Sequence, residues 1–311
     1  MHSDEIFIVG WSGFIGRQFI SYLGKEYPAS KIYLFNRDEY SINIDITVEQ
    51  AELLPQDVFF SKLLGEGRKT VLYLANSYSP TDSLKYAVDS ATDNIVPFIK
   101  FLEKIKNNAP AIKFIFASSG GTIYGDTNGE SCKESHELSP KNIYAANKIA
   151  QEYYLNVYGI NYLLDYKILR IANPYGPGQK LKGGQGLIPA VLESLCCMKT
   201  LSIYGDGQAT RDYIYIDDLC ELIVRTINYQ GPHKIFNAGS GSAHSIMDII
   251  NCFDSICEHK VKYTYKPSEN SIVNSIVLDI SLARKELNWE PRISLVDGIR
   301  EFIRWYKHHH E

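Results

Sequence analysis

A series of short apolar runs, spaced by longer amphipathic stretches, constrains this chain most. The runs are IFIVG (6–10), KIYLFN (31–36), TVLYLAN (70–76), IKFIFASS (112–119) and YKILRIAN (166–173). Between them lie helix-like segments: FIGRQFISYLGKEY after the first run, a stretch near 84–106, and one from about 142 to 158. Strands apolar on both faces and separated by helices indicate a parallel sheet covered on both sides. Beyond residue 173 the pattern changes. NPYGPGQKLKGGQG reads as a long Gly- and Pro-rich loop, followed by mixed helices and short strands. The expected organisation is an α/β, Rossmann-type doubly wound parallel sheet over residues 1–172, expected to receive a strand and helix from about 213–240. A smaller α/β substrate-binding region spans 173–311.

The first run ends in GWSGFIG, where Gly10, Gly13 and Gly16 open the following helix with Phe14 and Ile15 between them. A glycine turn between a strand and a helix suits a pyrophosphate. The turn is tight, the backbone approaches the anion, and the helix N-terminus offers free N–H groups. The second run ends in Asn36-Arg37, where NAD sites usually place an acid. Asn36 does not repel a 2′-phosphate and Arg37 can pair with one, which tilts the reading toward NADP. Asp38 lies close enough to blur that tilt, so the cofactor is NAD or NADP. Asp45 and Ile46 are expected to flank the adenine.

NIYAANK places Tyr144 and Lys148 four residues apart, on one face of a helix. A phenol titrates near ~10 and is a poor base at neutral pH. A nearby ammonium favours the phenolate, as does a nicotinamide cation, so the tyrosine can exchange a proton with a sugar hydroxyl. Spacing alone is not enough: Tyr27 and Lys31 share it, but Pro28 intervenes and a strand begins at Lys31.

GWSGFIG, SSGGTIYG and YAANK in this order resemble the extended short-chain dehydrogenase/reductase family, most of all its nucleotide-sugar epimerases of the UDP-galactose 4-epimerase type. The resemblance covers nearly the whole chain. It implies cofactor contacts from Leu74, Ala75 and Asn76 in LYLAN, from Asn94 near the active site, and from Lys148. It implies substrate contacts from Tyr144, from Asn173 of NPYGPGQ, and from Arg211 of IYGDGQATRDYIYIDDL. LARKELNWEP resembles the family's closing helix segment.

The chain departs from the family at two places. The family carries Ser or Thr four places before the Tyr of "YG", where this chain has Gly120. Alternation along a regular strand points Thr122 to the same side as Gly120 and Ser119 to the other, whereas a turn at Gly120-Gly121 would bring Ser119 round. Both hydroxyls are therefore catalytic candidates beside Tyr144 and Lys148. Related dehydratases and decarboxylases place acids just before this Tyr-Gly; Gly121 and Thr122 stand here, so elimination of water loses its general acid. The second departure is a family arginine on the substrate diphosphate, near whose place stand Glu269 and, just before it, Lys266. Closure of the 176–186 loop over the nucleotide would compensate.

The resemblance thus implies an NAD(P)-dependent 4-epimerase of a UDP-hexose, working through a transient 4-keto sugar. Its rivals are an NADPH-consuming reductase of a keto sugar nucleotide and a non-catalytic dinucleotide sensor. Family members often dimerise through the helix bearing the Tyr-Lys pair and its neighbour, so a homodimer is expected. A net charge of −4 favours neither nucleic acid nor an anionic membrane. No apolar run approaches the ~20 residues of a membrane helix, and MHSDE shows no signal peptide. The cysteines Cys132, Cys196, Cys197, Cys220, Cys252 and Cys257 form no CxxC pair and read as reduced cytoplasmic thiols. The closing KHHHE reads as a frayed end or tag remnant rather than a metal site.

Overall fold

A computed structural model describes residues 5–35, 48–127, 129–180, 186–267 and 273–310. In chain order the elements are β1 (Glu5–Val9), α1 (Phe14–Glu26), β2 (Lys31–Phe35), β3 (Ala51–Leu53), α2 (Gln56–Leu63), β4 (Lys69–Tyr73), α3 (Pro80–Lys85), α4 (Ala87–Ile105), a 3₁₀ turn (Lys106–Ala111) and β5 (Ile112–Ser119). There follow β6 (Ser131–Cys132), α5 (Ile143–Tyr162), β7 (Asp165–Ile171), β8 (Asn173–Tyr175), α6 (Leu187–Cys196), β9 (Leu201–Tyr204), β10 (Thr210–Tyr215) and α7 (Ile216–Asn228). The chain closes with β11 (Ile235–Ala238), β12 (Ala243–Ser245), α8 (Ile246–Ile256), β13 (Tyr263–Lys266), β14 (Val277–Leu278), α9 (Ser281–Leu287) and α10 (Leu295–His310). Two units form: Met1–Ser118 with Ile143–Leu169 and Cys220–Phe236, and Ser119–Asn142 with Arg170–Leu219 and Asn237–Glu311.

The first unit is built on a seven-stranded sheet of order β11-β7-β5-β4-β1-β2-β3. β1 pairs in parallel with β2 on one side and β4 on the other, Val9 lying between Phe35 and Tyr73. The order reverses at β1, and a crevice opens beyond the carboxyl ends of strands at such a reversal. Apolar residues on both strand faces keep the sheet buried, as in β5, where every residue from Ile112 to Ser119 is buried.

One face is packed by aromatic side chains. Phe98 of α4 meets Tyr73 at 5.0 Å and Phe116 at 5.2 Å between ring centroids, while Phe101 meets Phe60 at 5.2 Å. Phe7, Phe59 and Phe114 are fully enclosed in the same cluster. Lys113, alone among β5's residues in carrying a charge, sends its ammonium to the carbonyls of Ile227 (2.8 Å) and Tyr229 (2.6 Å). There it meets the carbonyl-rich end of α7.

Four features differ from the sequence expectation. The helix expected near 84–106 is two helices, because Ser79 caps an earlier start by accepting the Asp82 N–H at 3.0 Å, with Pro80 at the first helical position. β3 and α2 were not foreseen; β3 is three residues long and pairs with β2. NPYGPGQ is not wholly loop, since Asn173–Tyr175 pairs in parallel with Tyr213–Tyr215 of β10. The C-terminal histidines do not fray: α10 runs to His310, with the His309 ring stacked on Trp305 at 4.8 Å. Residues 181–185, within the loop expected to close over the nucleotide, lie outside the described residues.

Phe98→Ala is expected to destabilise the protein by about 3–5 kcal/mol, because the cavity is walled by rigid rings. Urea unfolding followed by circular dichroism would read it as a lower midpoint at unchanged slope.

Candidate active site

In the first unit the glycine turn follows β1 at the reversal of strand order. Gly10 has φ +83°, and a Cβ there would lie 2.5 Å from the Ala75 nitrogen. A Cβ on Gly16 would lie 2.4 Å from the Trp11 carbonyl oxygen. These two glycines are required by the protein's own backbone. Gly13 is different: it is exposed, and a Cβ there would meet only the Gly10 oxygen, at 3.5 Å. Gly13 is the N-cap of α1, caps it with no side chain, and no acid occupies the first turn. The amides at Phe14 and Ile15 therefore open an uncapped, positively polarised helix end beside bare backbone, a cradle that fits a dinucleotide pyrophosphate.

The end of β4 forms the other wall. Leu74 N–H donates to the Val9 oxygen at 2.8 Å, Ala75 abuts Gly10, and Asn76 Nδ2 donates to the Tyr78 oxygen at 2.6 Å. Asn94, buried on α4, accepts the Ser77 N–H at 2.9 Å and donates to the Ser90 oxygen at 2.8 Å. Its amide thus fixes the segment after β4. Asn36, Arg37, Asp45 and Ile46 lie outside the described residues.

Tyr144 opens α5, its N–H donating to Ser83 Oγ at 3.0 Å, and its side chain is half-buried. Lys148 is one turn on and buried. Its Nζ donates to the Ala117 oxygen at 2.9 Å and sits 4.9 Å from the Phe116 ring centroid and 5.9 Å from that of Tyr144. Burial pushes the ammonium down to about 8, with Glu152 working the other way. Ser118 Oγ donates to Glu152 Oε1 at 2.5 Å. The sequence reading passed over Glu152, although it follows Lys148 at the same four-residue spacing that joins Tyr144 to Lys148.

In the second unit the chain turns at Gly120-Gly121, both amides donating to the Ile171 oxygen (2.7 and 3.3 Å). The regular-strand premise therefore ends at Ser119, and Thr122 Oγ1 donates to Ser119 Oγ at 2.9 Å. A Cβ on Gly120 would lie 2.6 Å from Leu278 Cδ1 and 2.7 Å from the Arg170 oxygen, so no hydroxyl side chain fits that place. Tyr124 of the same stretch is buried, donating to Asn237 Oδ1 at 2.7 Å and accepting from Arg170 Nη1 at 3.0 Å.

A cavity of about 250 Å³ in this unit is lined by Leu187, Ile203 and Ile246 on apolar sides and by Asn173, Arg211 and Tyr213 on polar ones. Asn173 Nδ2 donates to the Asp212 oxygen at 2.8 Å, and Arg211 Nη1 to the Thr210 oxygen at 2.8 Å. Burial works against the Arg211 charge, with Tyr213 and Asp126 opposing it. An anion in the cavity would relieve that cost. Asp212, also missed, accepts from the Ser240, Gly241 and Leu278 amides and so holds the arginine's strand in place. Lys266 Nζ lies 5.9 Å from the centroid of Tyr204, another lining residue. Glu269 lies outside the described residues.

The buried ammonium has a stability signature. Its value in the folded state, about 8, is below the ordinary lysine value of 10.5, so the unfolded chain binds more protons between them. Relative to Lys148→Met, which carries no charge, the wild type is expected to gain stability as pH rises through that window. The slope approaches ~1.4 kcal/mol per pH unit. Unfolding of both proteins at pH 7 to 10.5 measures it; a flat difference would mean an ordinary lysine.

Residues 6–239 match the NAD dependent epimerase/dehydratase family. The chain is 34% identical over 236 residues to a dTDP-4-dehydro-6-deoxyglucose reductase of Escherichia coli, covering 76% of this chain and 74% of that one. It is 31% identical over 252 residues to a UDP-glucose 4-epimerase of Mycolicibacterium smegmatis, covering 81% and 80%. Among solved structures it resembles the UDP-glucose 4-epimerase of Thermotoga maritima with UDP-glucose, at TM-score 0.89, 27% identity and coverage of 99% and 100%. It also resembles the UDP-glucuronic acid 4-epimerase of Bacillus cereus in complex with UDP-glucuronic acid and NAD, at TM-score 0.87, 25% identity and coverage of 98% and 100%. A glycine cradle at the reversal of a parallel sheet and a tyrosine–lysine pair on one helix face are thus joined to a match over most of the chain: this protein belongs to the NAD dependent epimerase/dehydratase family.

Proposed function

We propose that the protein is an NAD(P)-dependent nucleotide-sugar 4-epimerase acting on a UDP-hexose. The observation that carries the reading is the half-buried Tyr144 side chain with a buried ammonium 5.9 Å from its ring centroid. Likeness to 4-epimerases of UDP-sugars supports the substrate class, and NAD in the Bacillus cereus complex supports NAD as the cofactor. Gly10, Gly13, Phe14, Ile15 and Gly16, with Leu74, Ala75 and Asn76, would hold the dinucleotide, Asn94 fixing the segment beside it. NAD bound there would supply reversible hydride transfer at the sugar C4, the chemistry that a transient 4-keto sugar requires.

Tyr144 takes the proton of the sugar 4-hydroxyl and returns it, so protons balance over the cycle. Lys148 stabilises the phenolate that forms. The Ser119–Thr122 hydroxyl pair is assigned to a sugar hydroxyl, the role that Gly120 leaves open. Arg211 and Asn173 bind the diphosphate in their cavity, which offsets the desolvation that works against the half-buried arginine's charge. With Gly121 and Thr122 before Tyr124 there is no carboxylic acid for dehydration. Interconversion of UDP-glucose and UDP-galactose tests the reading. Tyr144→Phe is expected to lower kcat by ~10²–10⁴ while the cofactor still binds; full activity in that variant would remove Tyr144 from the chemistry.

A reductase is the second reading, favoured by the 34% identity to the Escherichia coli enzyme. The assays separate the two: a reductase consumes reduced cofactor mole for mole with a 4-keto sugar nucleotide, whereas an epimerase shows no net change in absorbance.

We further propose a cytoplasmic homodimer. All six cysteines are free thiols, and among the described residues no helix is long and apolar enough to cross a membrane. Tyr153, Val157 and Ile160 form an exposed stripe on α5, and Val88 and Val96 continue it on α4. The wild type is expected to sediment as a dimer and Tyr153→Glu/Ile160→Glu as a folded monomer; a monomeric wild type at micromolar concentration rules the interface out.

A further inference from the structure

The helix that bears Tyr144 and Lys148 carries a third buried polar side chain on the same face, Glu152. Two consecutive residues of β5 receive the two charged ones. The Ala117 carbonyl accepts from Lys148 Nζ at 2.9 Å, and the Ser118 hydroxyl donates to Glu152 Oε1 at 2.5 Å. Lys148 is 3% exposed, Ser118 4% and Glu152 6%, so water does not screen them. An ammonium in such a place is costly without a counter-charge, and a single carbonyl dipole does not neutralise it.

Among the described residues of α3, α4 and β5, no buried acid stands in its place. Asp89 and Asp93 of α4 and Asp82 and Lys85 of α3 are exposed. Of the α4 residues that bond to α5, Ser90 accepts from Asn147 Nδ2 and the Asn94 carbonyl from Gln151 Nε2, while the acid Glu103 is exposed and accepts from Tyr158, more than two turns beyond Lys148. On β5, Phe116 and Ser118 face α5, while Lys113 is directed to the end of α7. Glu152, one helical turn beyond Lys148 and bonded to the β5 residue next to the one that receives the ammonium, is the acid placed to favour the protonated form.

We propose that Glu152, held by Ser118, is a positioning residue for the reaction: its carboxylate is the buried counter-charge that keeps Lys148 protonated and seated on the Ala117 carbonyl. The proposal rests on the reading of Lys148 as the cation that serves Tyr144. It gives Ser118 a function distinct from that of Ser119 and Thr122. Ser118 does not touch substrate; it holds the group that holds the lysine.

The test is a titration that needs no turnover. The full chain is labelled with ¹³C-lysine, and the Lys148 Cε resonance is identified by its loss in Lys148→Met. In wild type the midpoint is expected near 8. In Glu152→Gln it is expected about one pH unit lower. The falling high-pH limb of the kcat profile for UDP-galactose is expected to move by the same amount, with KM unchanged. A midpoint that does not move in Glu152→Gln overturns the proposal. Should that variant fail to fold, Ser118→Ala is titrated instead, and an unmoved midpoint there overturns it equally. A wild type that titrates near 8 but turns over no UDP-hexose counts against the epimerase reading alone; an active wild type with the same midpoint in both proteins counts against the role of Glu152 alone.

Discussion

The position of β1 between β2 and β4 is the constraint on which the first unit depends. A parallel sheet whose order reverses at one strand sends the following connections to opposite faces, and the gap between them is the place where a ligand can reach backbone. Both walls of that gap come from adjacent strands, the Gly10 turn after β1 and Leu74–Asn76 after β4. Their contact is so close that only glycine serves at position 10. Gly13 owes its place to no such contact, and its openness toward solvent marks where the protein leaves room for something else.

α5 carries two buried charged residues because of how it docks. An amphipathic helix beside a buried strand usually presents apolar side chains. Here Lys148 and Glu152 enter instead, received by a carbonyl and a hydroxyl at the end of β5. Burying an ammonium costs stability, and the cost is relieved only as pH rises above the lysine's lowered value toward its ordinary one. Stability is thus given up at the place where the proposed reaction needs a charge for proton transfer.

Gly120 illustrates how a departure from a family pattern is compensated locally. Leu278 and the Arg170 carbonyl fill the space that a side chain there would need. The turn that glycine permits brings Ser119 and Thr122 within 2.9 Å of each other. The contact directs the Thr122 hydroxyl proton to the Ser119 oxygen.

Much of the fold was legible in the chain itself, for a physical reason. Strands buried on both faces must be apolar along their whole length, so IFIVG, TVLYL and IKFIFASS declare themselves, as does the glycine turn between β1 and α1. Elements whose pattern is short or mixed did not: β3 has three residues, α2 buries only one side, and β8 lies in a segment rich in Gly and Pro. The pairing of Asn173–Tyr175 with Tyr213–Tyr215 of β10 depends on a partner 40 residues away, which no local pattern encodes. At the site, the four-residue spacing of Tyr144 and Lys148 was readable because a helix makes near neighbours of such residues. The sequence by itself determined the parallel α/β frame, the cradle and the helix face. Only the tertiary structure decided that Lys148 is buried on the Ala117 carbonyl, that Ser118 belongs to Glu152, and that a side chain at position 120 has no space. Burial, desolvation and contact depend on what the rest of the chain brings near, and that is not a property of the segment.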